Sequence, residues 1–356
     1  MRGYEVKEKR TTKIDIAQKL NLSIATVDRV FNNRGSVSPR TRELVLEAAR
    51  ELNYIPNKNA KYLSKKVRCN IGISYLLPEW FGSQVERGIQ QAYEEFRDFG
   101  MQLIISKDAL DEKEQIRKIR EMLPEIDALA VAPWEPGTEF SDFINSLIDS
   151  GIPVVTFNND MPLSRRLMYV GSDYVVAGRC AGQLMDAFLE HRGEAGIVIR
   201  SEHLTNMGQR VAGFRNYLSE NSGIRAQGPF KVHGNMESVA EQVKEILVRY
   251  PQMRGIFVAS DNLVRVADAL KALGEEEKVS LVGYDLNEEH AELLREGRVR
   301  SVICQEPYRQ GYEPVKVLFD YLMEGRLPVQ NEIITKMEIV MRENLEGYYK
   351  EMKGDV

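Results

Sequence analysis

Residues 11–63 read TTKIDIAQKLNLSIATVDRVFNNRGSVSPRTRELVLEAARELNYIPNKNAKYL, and their spacing predicts three short helices with no strand among them. Thr12 stands just ahead of Ile14, Ile16, Ala17 and Leu20, where its hydroxyl can cap a first helix and Asp15 suits the positive helix end. Asn21-Leu22 makes a turn, and Ser23 caps a second helix with Ile24, Val27 and Val30 at helical spacing. Two short helices joined so tightly form a helix-turn-helix. After the loop Asn32-Asn33-Arg34-Gly35, Ser38-Pro39 opens a third helix, since Ser caps well and Pro is tolerated in the first turn. Val45, Ala48, Ala49 and Leu52 give that helix an apolar face to cover the other two. Pro56 stops propagation, and the polar, basic stretch beyond it reads as a linker.

Charge divides near the same place. Residues 1–66 hold 15 Lys+Arg against 7 Asp+Glu, a net of +8, while the rest of the 356-residue chain carries −13 and the whole −5. A basic head on an acidic body points to a polyanionic partner for the head alone, although a short terminus can be lopsided without one. A chain this long should hold two or three folded units. Its 43% hydrophobic and 28% charged residues are the composition of a soluble globular protein. No run of about 18 apolar residues appears and the N-terminal part is polar, so neither a membrane span nor a secretory signal is expected, and the cytoplasm is the expected location. Cys69, Cys180 and Cys304 are isolated and lack metal or redox spacing, so they read as reduced, mostly buried packing residues.

Beyond the linker, apolar runs alternate with amphipathic stretches. Strands are predicted at Cys69–Leu77, Pro153–Phe157, Gly255–Val258, Val279–Tyr284 and Ser301–Ile303, among others, and helices at Gln84–Phe99, Tyr174–His191 and Gln209–Glu220. Strict alternation means an α/β fold with parallel sheets covered on both faces. Some 280 residues are too many for one sheet of ordinary width, so two lobes are expected, with ligands held where the carboxyl ends of their strands face a cleft.

The stretch 11–63 resembles, almost without gaps, the DNA-binding head and hinge of the lactose/galactose repressor family, the NYIPN at 53–57 being its most specific part. The remainder resembles that family's periplasmic-binding-protein-like core through IPVVTFNND at 152–160, RVAGF at 210–214, VASDN at 258–262, LVGYD at 281–285 and CQEP at 304–307. The resemblance implies a head at 1–57, a hinge helix at 58–67 and a two-lobed core at 68–345. The N-lobe would take about 68–170 plus 304–325 and the C-lobe about 171–303 plus 326–345, with a tail at 346–356.

It also implies roles. Ile24 and Ala25 stand where the family chooses bases in the major groove, and Thr26 and Arg29 where it contacts phosphate and base. Packing into the head's core is the other reading of Ile24. Asp28 departs from the family's usual serine, and a carboxylate there either accepts from a cytosine amino group or pairs with Arg29. Ser23, Thr41, Arg42 and Asn57 suit phosphate anchoring. Leu63 holds the position of a leucine wedged into the minor groove when two hinge helices meet through Ala60, unless it only packs against the core. Lys58, Lys61, Lys65 and Lys66 suit the flanking phosphates.

In the core, Asn158, Asn159, Arg210, Ser260, Asp261, Asp285 and Gln305 match the family's sugar contacts. Planar amide, guanidinium and carboxyl groups hold polyols by paired hydrogen bonds. Trp80 and Phe81, on the loop after the first strand, and Trp134 are candidates to cover apolar sugar faces. Asn158 stands where many sugar binders have Asp, and Ser260 where Asn is usual, so the sugar's identity does not transfer. His191, His203, His233 and His290 lack metal-ligand spacing and no nucleophile or phosphate-binding motif is present, so no enzyme and no cofactor are expected. The resulting expectation is a transcription regulator, a repressor, acting as a homodimer on a near-palindromic operator and answering to a sugar-like effector. The rival is a sugar-binding transport-type protein without a regulatory role.

Overall fold

The computed structural model describes residues 11–31, 37–52, 54, 69–107, 109, 111–134, 137–200, 205–325 and 327–353. The chain divides into two compact units, Met1–Lys66 and Val67–Val356. In the first, α1 (Lys13–Leu20), α2 (Ile24–Phe31) and α3 (Pro39–Glu51) form the helical head. Thr12 and Asp15 cap α1 reciprocally, each side chain accepting from the other's main-chain N–H, and Asn21 ends it in the left-handed region at φ 51°. Ser23 Oγ accepts from the Thr26 N–H and Ser38 Oγ from the Thr41 N–H, each at 3.1 Å. Ile16, Ala17, Val27, Val30, Val45, Ala48 and Ala49 are buried together. Each of the four larger ones contributes about 1.5–3 kcal/mol, a thin margin for a unit so small.

In the second unit the first sheet takes β1 (Cys69–Ser74), β2 (Met101–Ser106), β3 (Ala128–Val131), β4 (Val154–Phe157) and β5 (Met168–Gly171). The second takes β6 (Glu194–Ile199), β7 (Arg225–Lys231), β8 (Met253–Val258), β9 (Ser280–Tyr284) and β10 (Ser301–Cys304). Two short strands, β11 (Glu332–Ile334) and β12 (Glu338–Val340), complete them in the orders β11-β5-β4-β3-β1-β2 and β12-β10-β9-β8-β6-β7. Every residue of β3, β4, β5 and β6 is buried, as strands covered by helices on both faces require. All pairings are parallel except that of β12 with β10. Free Cys69 and Cys304 are buried and Cys180 is half-buried.

The helices are α4 (Glu79–Phe96), α5 (Glu112–Met122), α6 (Thr138–Asp149), α7 (Tyr174–Phe188), α8 (Thr205–Asn221), α9 (Met236–Arg249), α10 (Leu263–Ala272), α11 (Glu288–Arg295), α12 (Pro307–Glu324) and α13 (Leu345–Lys353). One helix pair in each lobe meets backbone to backbone through reciprocal glycines. A Cβ on Gly88 of α4 would lie 1.9 Å from the Tyr308 carbonyl oxygen of α12, and one on Gly311 2.0 Å from that of Val85. In the second lobe Gly178 of α7 stands in the same relation to Arg210 of α8 at 2.1 Å, and Gly213 to Val175 at 2.0 Å.

Three segments join the lobes, and Thr335 ties them. Its N–H donates to the Gly171 carbonyl at 2.9 Å and its hydroxyl to the Gln305 carbonyl at 3.0 Å. Because this third crossover falls at 335–337, β11 belongs to the first sheet, where it pairs with β5. The C-lobe segment predicted at 326–345 is corrected accordingly: only the part from β12 onward joins the second sheet, since β5 would otherwise lack an outer partner. Cys304, placed in the N-lobe by the sequence, is the last residue of β10. The predicted tail is also revised. α13 buries Leu345, and Tyr348 and Tyr349 pack on the second lobe's core, an i, i+3, i+4 apolar face.

Candidate functional site

Each sheet ends in a sharp reversal at the cleft. Asn158 follows β4 at φ 59°, Asp285 follows β9 at φ 60°, and Glu306 lies two residues past β10 at φ 50°. Asn and Asp enter this left-handed region more readily than most side chains, and here it turns the chain at the strand's carboxyl end. Around the resulting cavity of about 140 Å³, Trp80, Phe81, Trp134, Asn158 and Asn159 come from the first lobe, and Arg210, Ser260, Asp261 and Asp285 from the second. Gln305 joins them from the second crossover. All ten residues singled out in the core are thus brought together.

Three were misplaced locally. Trp80 and Phe81 lie in the first turn of α4, which begins at Glu79 behind Pro78, and not on a loop. Arg210 lies inside α8, which starts at Thr205, so Asn206 and Met207 also line the cleft. Arg200 and Tyr284 were missed as well. Arg200 directly follows β6, and the strand-end rule applied there would have found it.

Arg210 is the most constrained group. Its guanidinium lies over the Tyr284 ring at 3.5 Å and the Tyr174 ring at 4.8 Å, and Nη1 donates to the Ala259 carbonyl at 2.9 Å. Its Nε is buried without a hydrogen-bond partner among the described residues. Asp285 Oδ2 accepts from Gln305 Nε2 at 3.0 Å, while Oδ1 and the Ser260 hydroxyl are buried without partners among the described residues. Burial pushes the Asp285 carboxyl up to about 7, against the opposing pull of the Arg210 charge and the Gln305 bond. Burial also lowers His290, whose Nδ1 donates to the Asp285 carbonyl at 3.0 Å. Across the cleft mouth Trp80 meets the His290 ring edge-on at 6.2 Å between centroids, so one aromatic contact spans both lobes. Asn159 Nδ2 donates to the Pro133 carbonyl and its Oδ1 accepts from Asn206 Nδ2, both at 3.0 Å. Asp261 accepts from Arg200 at 3.3 Å. Fixed planar donors and acceptors beside indole faces suit a small polyhydroxylated ligand. Among the described residues no group of His, Cys, Asp and Glu could hold a metal ion.

On the head, Ile24 is 51% exposed, so packing into the core is not its role. Ala25 and Arg29 are exposed beside it, with Thr26 and Asp28 half-buried, while Val27 and Val30 turn inward. The exposed Ser23 shares its hydroxyl between capping and a 2.8 Å bond to Thr26 Oγ1. Asp28 pairs with Lys13 of α1, a partner that neither reading of its carboxylate had named. Asn57, Ala60 and Leu63 lie outside the described residues.

Residues 13–57 match the model of the bacterial regulatory proteins, lacI family, and residues 75–326 that of the periplasmic binding protein domain. The chain is 27% identical over 259 residues to catabolite control protein A of Priestia megaterium, covering 71% of this chain and 74% of that one. It is 27% identical over 328 residues to the ribose operon repressor of Bacillus subtilis, covering 88% and 92%. Its fold matches that of GanP, a glucose-galactose binding protein from Geobacillus stearothermophilus, with a TM-score of 0.71 and 25% identity over 79% of this chain and 99% of that one. The chain thus carries a DNA-binding head of the lacI family of bacterial regulatory proteins at 13–57, joined to a core at 75–326 that belongs to the periplasmic binding protein domain family.

Proposed function

We propose that this protein is a repressor that holds a near-palindromic operator as a homodimer in the cytoplasm and changes its grip when a sugar-like effector enters the cleft. The observation that carries the reading is the convergence, on a chain with a lacI-type head, of Arg210, Asp285, Asn158, Asn159 and Gln305 beneath Trp80 and Trp134. Ile24, Ala25, Thr26, Asp28 and Arg29 read the major groove, with Ser23 and Asn57 on phosphates and Ala60 and Leu63 acting at the minor groove. Ligand bridges the lobes, Trp80 and Phe81 close over it, and the crossovers tied by Thr335 transmit the closure. The leverage is limited to the difference in ligand affinity between the two states. The protein performs no catalysis; its relatives named above are regulators and a binding protein.

Footprinting on DNA upstream of its own gene tests this, with pentoses, hexoses and cyclitols chosen by thermal shift. A protected palindrome whose protection changes with a stabilising sugar is expected. Absence of any protected site, with or without sugar, would contradict the reading.

A further inference from the structure

We infer that Gln310 is the positioning residue that sets which way the amides of the cleft face, and thereby makes Asn158 a hydrogen-bond acceptor toward the effector. Gln310 lies near the start of α12, fully buried and outside the cleft lining. Its Nε2 donates to the Gln305 main-chain carbonyl at 2.8 Å and to Gln305 Oε1 at 3.3 Å. Its Oε1 accepts from Asn158 Nδ2 at 3.1 Å. Gln305 Nε2 donates in turn to Asp285 Oδ2 at 3.0 Å.

A main-chain carbonyl can only accept. That anchor commits the Gln310 NH2 to residue 305 and its oxygen to Asn158, so Asn158 presents its NH2 inward and keeps Oδ1 for the cleft. At the other end the Asp285 carboxyl commits the Gln305 NH2. Three amides therefore run in one direction from the first lobe to the second. Reversing one would set like groups face to face at the fully buried Gln310 and leave a buried donor or acceptor unsatisfied. The same arrangement explains an amide at position 158: a carboxylate there would meet Gln310 Oε1 acceptor to acceptor. The inference rests on the cleft being the effector site and narrows the ligand, which must bring a hydroxyl donor to Asn158 Oδ1 in one lobe and a hydroxyl to bond Asp285 Oδ1 in the other.

A double-mutant cycle in the full chain, read by urea unfolding with no sugar present, tests the arrangement. Asn158→Asp is expected to raise the unfolding equilibrium constant by on the order of a hundredfold in the native background, and at least tenfold less beside Gln310→Met. Should Asn158→Asp fail to fold, Asn158→Ala serves in its place, with a coupling of about fivefold expected from the single lost bond. Single effects that simply multiply, in whichever cycle is measured, would overturn the inference and reduce Gln310 to space filling. Because no ligand enters, that failure leaves the effector site standing. A protein with intact coupling that answers to no sugar would support the amide arrangement and count against the effector reading alone.

Discussion

The guanidinium carbon of Arg210 lies 3.5 Å from the centre of the Tyr284 ring while Nη1 bonds the Ala259 carbonyl. Stack and carbonyl together fix the plane of the group, so its remaining N–H donors meet the cleft in one orientation. A lysine keeps the charge and loses the plane. Arg210→Lys and Arg210→Ala should each weaken the stabilising sugar about tenfold to a hundredfold, with operator binding in its absence unchanged. Calorimetric titration and gel shift measure the two; native sugar affinity in the lysine variant would show that charge alone suffices.

Asp285 makes stability depend on pH. Its carboxyl is raised to about 7 in the folded protein, above its ordinary value of about 3.9. The unfolded chain therefore releases this proton first, and stability from this group is full below the ordinary value and lost as pH rises through about 7. Asp285→Asn keeps an acceptor for Gln305 and removes the titration. The variant should melt ~2–5 °C above the native protein at pH 8, with the gap closing toward pH 4. A pH-independent gap in thermal melts would remove Asp285 as its source.

Helix approach positions Arg210 from behind. A methyl at Gly178 would lie 2.1 Å from the Arg210 carbonyl oxygen, whereas one at Gly208, on the same helix as Arg210, meets nothing within 4 Å. Gly178→Ala should cost about 2 kcal/mol or more and weaken sugar binding although it does not line the cleft. Gly208→Ala should be neutral or stabilise by about 0.5–1 kcal/mol. Urea unfolding of the pair checks both, and equal effects would contradict the close approach.

Ile24 separates stability from recognition. Half exposed on α2, it should tolerate alanine within about 0.5 kcal/mol by thermal melting, yet operator preference should shift by about tenfold or more in selection from random DNA. An unchanged operator preference would take Ile24 out of the reading face.

The head was legible because local rules agree there: Thr12, Ser23 and Ser38 cap, Asn21 turns, and Val27 and Val30 face the core. The cleft was legible because the family resemblance singled out seven polar positions, most of them just past strand ends, and the need to cover apolar sugar faces added three aromatics; all ten meet around one cavity. What escaped was tertiary. β11 and β12 are three residues each, too short for a periodic signal, and their pairing across the crossovers decides the lobe boundary. Nothing in EPYRQG at 306–311 reveals that Gln310 reaches Asn158 from 152 residues away, or that Gly311 lies against Val85. The Lys13–Asp28 pair joins two helices and could not be read from the second alone.

Coupling between cleft and operator is read from operator affinity, measured by fluorescence anisotropy while a sugar that raises the melting temperature is titrated. The affinity should change about 5- to 150-fold at saturation, and Arg210→Ala should abolish the change. A sugar that saturates the native cleft and leaves operator affinity unaltered would contradict the account.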